Sequence, residues 1–191
     1  EPIMLHLVTG CAGFIGSNVA AKALELGNHV IGIDNLNTYY DSELKKIRLK
    51  HLTKKANFKF IEGNINDYSL LGRIGDEHDI STLYHLAAQA GVRHSMQAPM
   101  DFVTPNLVGF SHVLDACHRL QVPRLLYASS SSVYGMRSQV PFLKTDRTDQ
   151  PQSFYAATKM ANGALALGKP EAAETLADMV QSLTTPKEPT P

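Results

Sequence analysis

The sequence has no apolar run near the roughly 20 residues that a membrane-spanning helix requires, so no membrane partner is expected. It has no charge excess of either sign, with 18 Lys and Arg balancing 18 Asp and Glu. Without a basic field, binding to nucleic acid or an anionic membrane surface is not expected either. Cysteine is scarce. Cys11 and Cys117 lie far apart without metal-ligand spacing, and they read as small buried thiols of a reduced, cytoplasmic protein. No internal repeat is present. The apolar start, Ile3 to Val8, runs straight into a glycine loop, so it reads as a strand and not as a signal sequence. The chain begins at Glu1 without methionine, which leaves open a segment upstream.

What remains is an ordinary globular composition, 43% hydrophobic and 19% charged over 191 residues. That length suffices for one well-buried domain and is short for two. Five short apolar runs, Ile3–Thr9, His29–Asp34, Asn57–Ile61, Thr82–Ala87 and Arg124–Ser129, alternate with helix-like stretches. Such alternation predicts βαβ units and a parallel sheet, and continuous apolar runs suit strands covered on both faces. Helices are predicted over Phe14–Leu26, closed by Gly27, and over Asp41–Leu52, acidic at its start and basic at its finish. Asp67–Glu77, Met100–Leu120 and Ser153–Leu167 complete the set, with Pro105 expected to end a first turn or kink the fourth helix.

The loop after the first run places glycine at positions 10, 13 and 16. This G-x-x-G-x-x-G spacing allows a tight turn, a backbone that can touch a pyrophosphate, and close helix-on-strand packing. Gly13, Phe14, Ile15 and Gly16 then open a helix whose unpaired N–H groups and positive dipole end suit phosphate. Asp34 closes the second run about 20 residues on, where a carboxylate can accept from the adenosine ribose hydroxyls. No arginine follows directly to bind a 2′-phosphate, so NAD is favoured over NADP. Asn64, after the third run, is placed to meet the adenine edge.

A second constellation lies later in the chain. Tyr155 and Lys159 stand one helical turn apart on one face. A neighbouring cation favours phenolate, and a lowered tyrosine pKa is what a base for an alcohol proton needs. Ser129 to Ser132 end the fifth run, at the carboxyl rim of a parallel sheet, where ligands of such folds sit. Strand alternation lets only one or two of them face a site.

Together Gly10, Gly13, Gly16, Asp34, His85-Leu86-Ala87-Ala88, Ser130, Tyr155 and Lys159 resemble the extended short-chain dehydrogenase/reductases, specifically the NAD-dependent nucleotide-sugar epimerases and dehydratases. At finer grain the chain resembles the UDP-glucuronate 4-epimerase group. The matching stretches are Ile33 to Asn37 with Tyr39-Tyr40-Asp41, Leu86 to Arg93, Tyr127-Ala128 with its serines, and Tyr155 to Lys159. The resemblance implies a Rossmann-type doubly wound sheet of strand order 3-2-1-4-5. It implies pyrophosphate on Gly10, Gly13, Phe14, Ile15 and Gly16, and adenosine ribose on Asp34 and Asn35. Asn64 and Ile65 would meet the adenine, while Leu86, Ala87 and Ala88 line the cofactor path. It assigns Ser130 as the catalytic hydroxyl with Ser131 second, Tyr155 as base, and Lys159 as the holder of the nicotinamide ribose. Asn106 would prop the lysine's surroundings, and Gln89 and Arg93 would contact the UDP-sugar. The implied reaction is reversible oxidation at the sugar 4-position through a 4-keto intermediate, with NAD regenerated.

The sequence departs from that pattern in places. Asn64 replaces the usual acid, Pro105 precedes Asn106 where a small polar residue is usual, and Gly163 stands where glutamate is common. Dehydratases of the superfamily place Asp-Glu after the catalytic hydroxyl; here Ser131-Ser132 follow Ser130. The resemblance covers about residues 3–167, so residues 1–167 are read as the NAD-binding domain. Residues 168–191 are read as a non-matching tail, a short helix begun by Pro170 and Glu171 and then a frayed terminus. The substrate-clasping half of such enzymes has no counterpart here. On that reading the fifth strand is an exposed sheet edge, NAD binding survives weakened, and turnover is very low. A 4,6-dehydratase or decarboxylase and a non-catalytic NAD-binding or dimerising remnant are the rival readings. Related enzymes dimerise through the helices placed at Met100–Leu120 and Ser153–Leu167, which makes a homodimer the expected assembly.

Overall fold

A computed structural model describes residues 3–167 and 173–175. Its centre is a parallel sheet of β1 (Leu5–Thr9), β2 (His29–Asp34), β3 (Phe58–Glu62), β4 (Thr82–His85), β5 (Leu125–Tyr127) and β6 (Ala173–Thr175). The spatial order is β3-β2-β1-β4-β5-β6, so the predicted 3-2-1-4-5 arrangement is present, with one further strand beyond β5. Leu125, Leu126 and Tyr127 pair with Ala173, Glu174 and Thr175. Two expectations are corrected by that pairing. The fifth strand is not an edge, and a helix does not run through Ala173–Thr175; the rest of the proposed terminal helix and tail lies outside the described residues.

The apolar runs read as strands because each faces two cores. Alternate residues of β1 and β2 point to opposite sides. Leu7, Ile31 and Ile33 join Leu83 and Leu125 against α3 (Tyr68–Glu77) and α6 (Gly109–Arg119), through Leu70, Leu71, Ile74, Phe110 and Val113. Val8 and Val30 pack on the other side against α1 (Phe14–Glu25) and α2 (Ser42–Leu52), through Ala20, Ala23, Leu24, Leu49 and Leu52. Gly27, at φ +83, ends α1 in the left-handed conformation that glycine adopts without strain.

Two local departures follow from particular residues. A short helix, α4 (Val92–Gln97), is absent from the predicted set; it follows Gly91, whose φ of +118 turns the chain out of the sheet. The single helix predicted over Met100–Leu120 is broken into α5 (Met100–Val103), a wide π-helical turn at Thr104–Val108, and α6. Pro105 sits inside the wide turn, where its missing N–H removes a bond that a regular helix would need.

Register sets the upper rim of the sheet. Thr9 is level with Ile33 on one side and His85 on the other, His85 with Tyr127, and Asp34 with Glu62. The residues that emerge next, Gly10, Asp34, Gly63, Leu86 and Ala128, therefore share one rim, and all of them line one cavity of about 590 Å³.

Candidate active site

The floor of that cavity is the glycine loop. Gly10 has φ +72, and its N–H donates to the Ile33 carbonyl at 2.7 Å. A Cβ at Gly10 would lie 2.7 Å from the Ala87 nitrogen, and one at Gly16 only 2.1 Å from the Gly10 carbonyl oxygen. Glycine is required at both positions by backbone, which cannot step aside. Gly13 caps α1 with no side-chain acceptor, so the first-turn N–H groups of the helix face the cavity unpaired by any cap. Such a helix start could hold an anion through its free N–H groups and positive dipole end. Phe14, at the lip, is 73% exposed, and the Arg48 guanidinium lies 5.9 Å from its ring centre while donating to the Ala12 carbonyl at 3.3 Å.

Asp34 is buried and shared. One carboxylate oxygen accepts from the Ala12 N–H at 3.0 Å and the other from the Leu36 N–H at 2.9 Å. Lys45, also buried, places its ammonium 3.5 Å from the same carboxylate and 3.0 Å from the Asn37 side-chain oxygen. Lys45 and Arg48 were missed by sequence reading. Both lie on α2 with no motif to mark them; the packing of α2 on α1 turns both toward the cavity. Asn35, Asn64, Ile65, Leu86, Ala87, Ala88 and Gln89 line the same space. The Asn64 side-chain oxygen accepts from the Asn66 N–H at 3.0 Å, making a local turn of the chain there.

The serine, tyrosine and lysine adjoin this cavity beyond Ala128. Lys159, on α7 (Phe154–Leu167), is buried and donates to the Ala128 carbonyl at 3.0 Å; burial lowers its pKa to about 8. Ser130 is extended and caps the 3-10 turn Ser131–Tyr134, accepting from the Ser132 N–H at 3.2 Å. Its hydroxyl lies 2.8 Å from the Ser132 hydroxyl and close enough to Tyr155 to favour the phenolate. Ser131 is exposed and Ser130 half-buried, so of the two serines Ser130 is the better placed to face the phenol. Tyr155 corrects an expectation. Burial holds its phenol above the ordinary tyrosine value, the nearby Ser130 hydroxyl pulls the other way, and Tyr40 pushes it further up. In this state the Lys159 ammonium turns to a carbonyl, and the phenol is not acidified.

Two further groups position these side chains. Ser95, fully buried on α4, accepts from the Tyr155 N–H at 3.0 Å and donates to the Val92 carbonyl at 2.7 Å. Sequence reading missed it because its partner lies 60 residues away. Asn106, in the wide turn, accepts from the Gln89 N–H at 2.8 Å and donates to the Gln89 carbonyl at 3.0 Å and to Thr158 at 3.1 Å. It fastens the loop after β4 to α7. Arg93 is exposed on the first turn of α4, outside the cavity lining.

His85 lies beneath the rim. Its ring nitrogen is 2.8 Å from the Thr9 hydroxyl, whose oxygen already accepts from the Leu86 and Ala87 N–H groups. The one hydroxyl proton is thus free to bond a neutral imidazole. Burial, aided by Lys159, lowers the His85 pKa to about 3 from 6.5, and His6 is lowered in the same direction. The unfolded chain therefore binds more protons than the folded one below 6.5, and stability falls as pH drops from there toward 3. Each pH unit in that window removes up to about 1.4 kcal/mol. Urea unfolding at pH 7 and pH 4 should show this loss. It should be smaller in His85→Asn, whose amide oxygen can accept from Thr9 but does not charge. Equal losses in the two proteins would contradict the assignment.

Among the described residues no helix is long and apolar enough to cross a membrane, and no group of three His, Cys, Asp or Glu could hold a metal ion.

Comparison with known proteins bears on this geometry. The family described as GDP-mannose 4,6 dehydratase matches residues 7–175. UDP-glucuronate 4-epimerase 2 of Arabidopsis thaliana is 47% identical over 161 residues, covering 84% of this chain and 37% of that protein. Protein CapI of Staphylococcus aureus is 42% identical over 163 residues, covering 85% of this chain and 48% of that protein. The chain thus spans less than half the length of these relatives. Among solved structures, UDP-glucuronic acid 4-epimerase from Bacillus cereus, in complex with UDP-glucuronic acid and NAD, superposes with a TM-score of 0.81 at 32% identity. That match covers 90% of this chain and 55% of that one. UDP-glucose 4-epimerase from Brucella ovis, in complex with NAD, gives 0.76 at 26% identity over 90% and 50% of the two chains.

Proposed function

Because the chain belongs to the GDP-mannose 4,6-dehydratase family, we propose that it is the NAD-binding part of a UDP-sugar 4-epimerase, acting on a UDP-glucuronate or UDP-galacturonate type of substrate. One observation carries the reading. A glycine floor under an uncapped helix start and the buried Asp34 carboxylate line one cavity at the sheet rim, and Lys159, bonded to the Ala128 carbonyl of that rim, stands on the same helix as Tyr155.

The residues fit the dinucleotide. The cavity volume lies in the range of small-ligand and cofactor sites. Gly10 and Gly16 leave no room for a side chain where the backbone must meet pyrophosphate, and the uncapped start of α1 offers the N–H groups. Arg48 stands at the phosphate end, and Asp34 with Lys45 at the ribose end. NAD, when bound, supplies a reversible hydride acceptor for the sugar carbon. This chain's own residues do the rest. Tyr155 takes the proton of the sugar 4-hydroxyl, and Ser130 hydrogen-bonds that hydroxyl and the phenol together. Lys159 brings a positive charge that favours phenolate once it turns from Ala128 toward the ribose. Ser95 and Asn106 hold α7 and the loop after β4 in fixed relation. The same groups return the proton when the 4-keto sugar is reduced on its other face.

The dehydratase alternative needs an acid to protonate the departing 6-hydroxyl. Ser131 and Ser132 occupy the positions after Ser130, and neither is an acid at neutral pH. Epimerisation needs no such group.

The test is direct. The purified chain should bind NAD by calorimetry and convert UDP-glucuronate to UDP-galacturonate slowly in long incubations resolved by chromatography. Absence of NAD binding would overturn the proposal. Bound NAD with no product at all would favour a cofactor-holding role without catalysis.

A further inference from the structure

Tyr39 and Tyr40 line the groove, and the topology says what their segment crosses. β2 and β4 flank β1 on opposite sides. The segment leaving β2 nevertheless touches the loop and helix that follow β4: the Tyr39 ring lies 5.2 Å from the His94 ring, and a Cβ on Gly91 would lie 2.4 Å from the Tyr39 hydroxyl. A chain joining those two banks must pass over the end of β1, where Gly10–Gly16 lie. We infer that residues 35–41 form a strap over the dinucleotide groove, with Tyr39 as its latch and Gly91 as the seat. This rests on the reading of the groove as an NAD site.

The near end of the strap is tied down. Leu36, at φ +50, turns the chain and donates its N–H to Asp34 at 2.9 Å, Lys45 bonds Asn37 at 3.0 Å, and Asp41 caps α2 by accepting from the Glu43 N–H at 2.8 Å. The far end is held by ring packing. Tyr40 stacks edge-on against Tyr39 at 4.7 Å and lines the same groove. Tyr39 keeps 39% of its surface exposed, so the latch is a part-open ring on a glycine shelf. The seat admits only glycine: φ is +118, and a methyl group there would overlap the phenol. A dinucleotide beneath a seated strap can leave only when the latch lifts, and can enter only while it is lifted.

A latch differs in kinetics from a side chain that merely touches the ligand. Deleting a side chain that only touches a bound ligand speeds dissociation and leaves association nearly unchanged. Deleting a gate speeds both. The experiment is stopped-flow binding and chase of NADH, followed by its nicotinamide fluorescence in a chain without tryptophan. Tyr39→Ala should raise the association and dissociation rate constants together, each by about tenfold or more, with Kd moved less than about threefold. Gly91→Ala, which expels the phenol from the opposite bank, should act in the same direction and carries the test if Tyr39→Ala does not fold. In the wild type, amide exchange across 36–40 should slow when NADH binds. A rise in dissociation alone, or no change in either rate, overturns the strap and leaves the NAD site standing. A wild-type chain that binds no NADH brings down both.

Discussion

Gly16→Ala should weaken NAD binding by about 100-fold or more, close to 3 kcal/mol, and lower the melting temperature of the protein without ligand. The added methyl would stand 2.1 Å from the Gly10 carbonyl oxygen. Overlap with a side chain can be relieved by a rotamer change, but here the obstacle is backbone. Relief requires α1 to move off β1, which breaks the Gly10 and Cys11 N–H bonds to Ile33 and carries the helix N-terminus away from the rim. Gly163→Ala is the matched control. Its nearest neighbour would be the Tyr127 hydroxyl at 4.0 Å, so NAD binding should be unchanged. Exchange of glycine for alanine inside α7 should add up to about 1 kcal/mol of stability. Calorimetry of NAD binding with thermal melts of the three proteins decides this, and wild-type affinity in Gly16→Ala would sink the glycine-floor account.

Tyr155→Phe should slow UDP-sugar epimerisation by about 10²–10⁴-fold, the range associated with loss of a positioned proton acceptor. NAD affinity should stay within about threefold of wild type, because the phenol is not among the groups lining the cofactor cavity. Two titrations then shape the pH profile. Burial holds Tyr155 above its ordinary value of 10, so the phenolate fraction grows with pH through neutrality. Lys159, lowered to about 8 by burial, loses its charge beyond that point. The rate of product formation should therefore climb from neutral pH toward 8 and flatten above it. An optimum on the acid side of neutrality, or full activity in Tyr155→Phe, would remove Tyr155 from the role of base.

Both effects depend on features that the sequence displays unequally. The glycine loop is legible because its requirement is local. Three spacings in one turn determine which backbone conformations are open, and the neighbouring apolar runs identify the strand before it and the helix after it. The alternating runs made only the βαβ succession and a parallel sheet legible; the strand order rested on the family resemblance, because the runs do not say which strands lie side by side. Tyr155 and Lys159 could be paired from helical spacing alone. The direction of the Tyr155 pKa could not, because it follows from how much water surrounds the phenol and where the ammonium turns. Asn106 was visible as a residue, but its bonds to Gln89 and Thr158 join segments that meet only in the folded chain.

Local chemistry by itself therefore determined the βαβ succession, the anion-binding turn and the candidate reacting groups, because each depends on neighbours a few residues apart. Tertiary structure alone decided that Lys45 and Arg48 face the cavity, that Ser95 tethers α7 and that Tyr39 reaches Gly91. It also added a sixth strand where an edge was expected. Those outcomes depend on distances between segments far apart in sequence, and such distances follow from how sheets and helices pack, which no local pattern encodes.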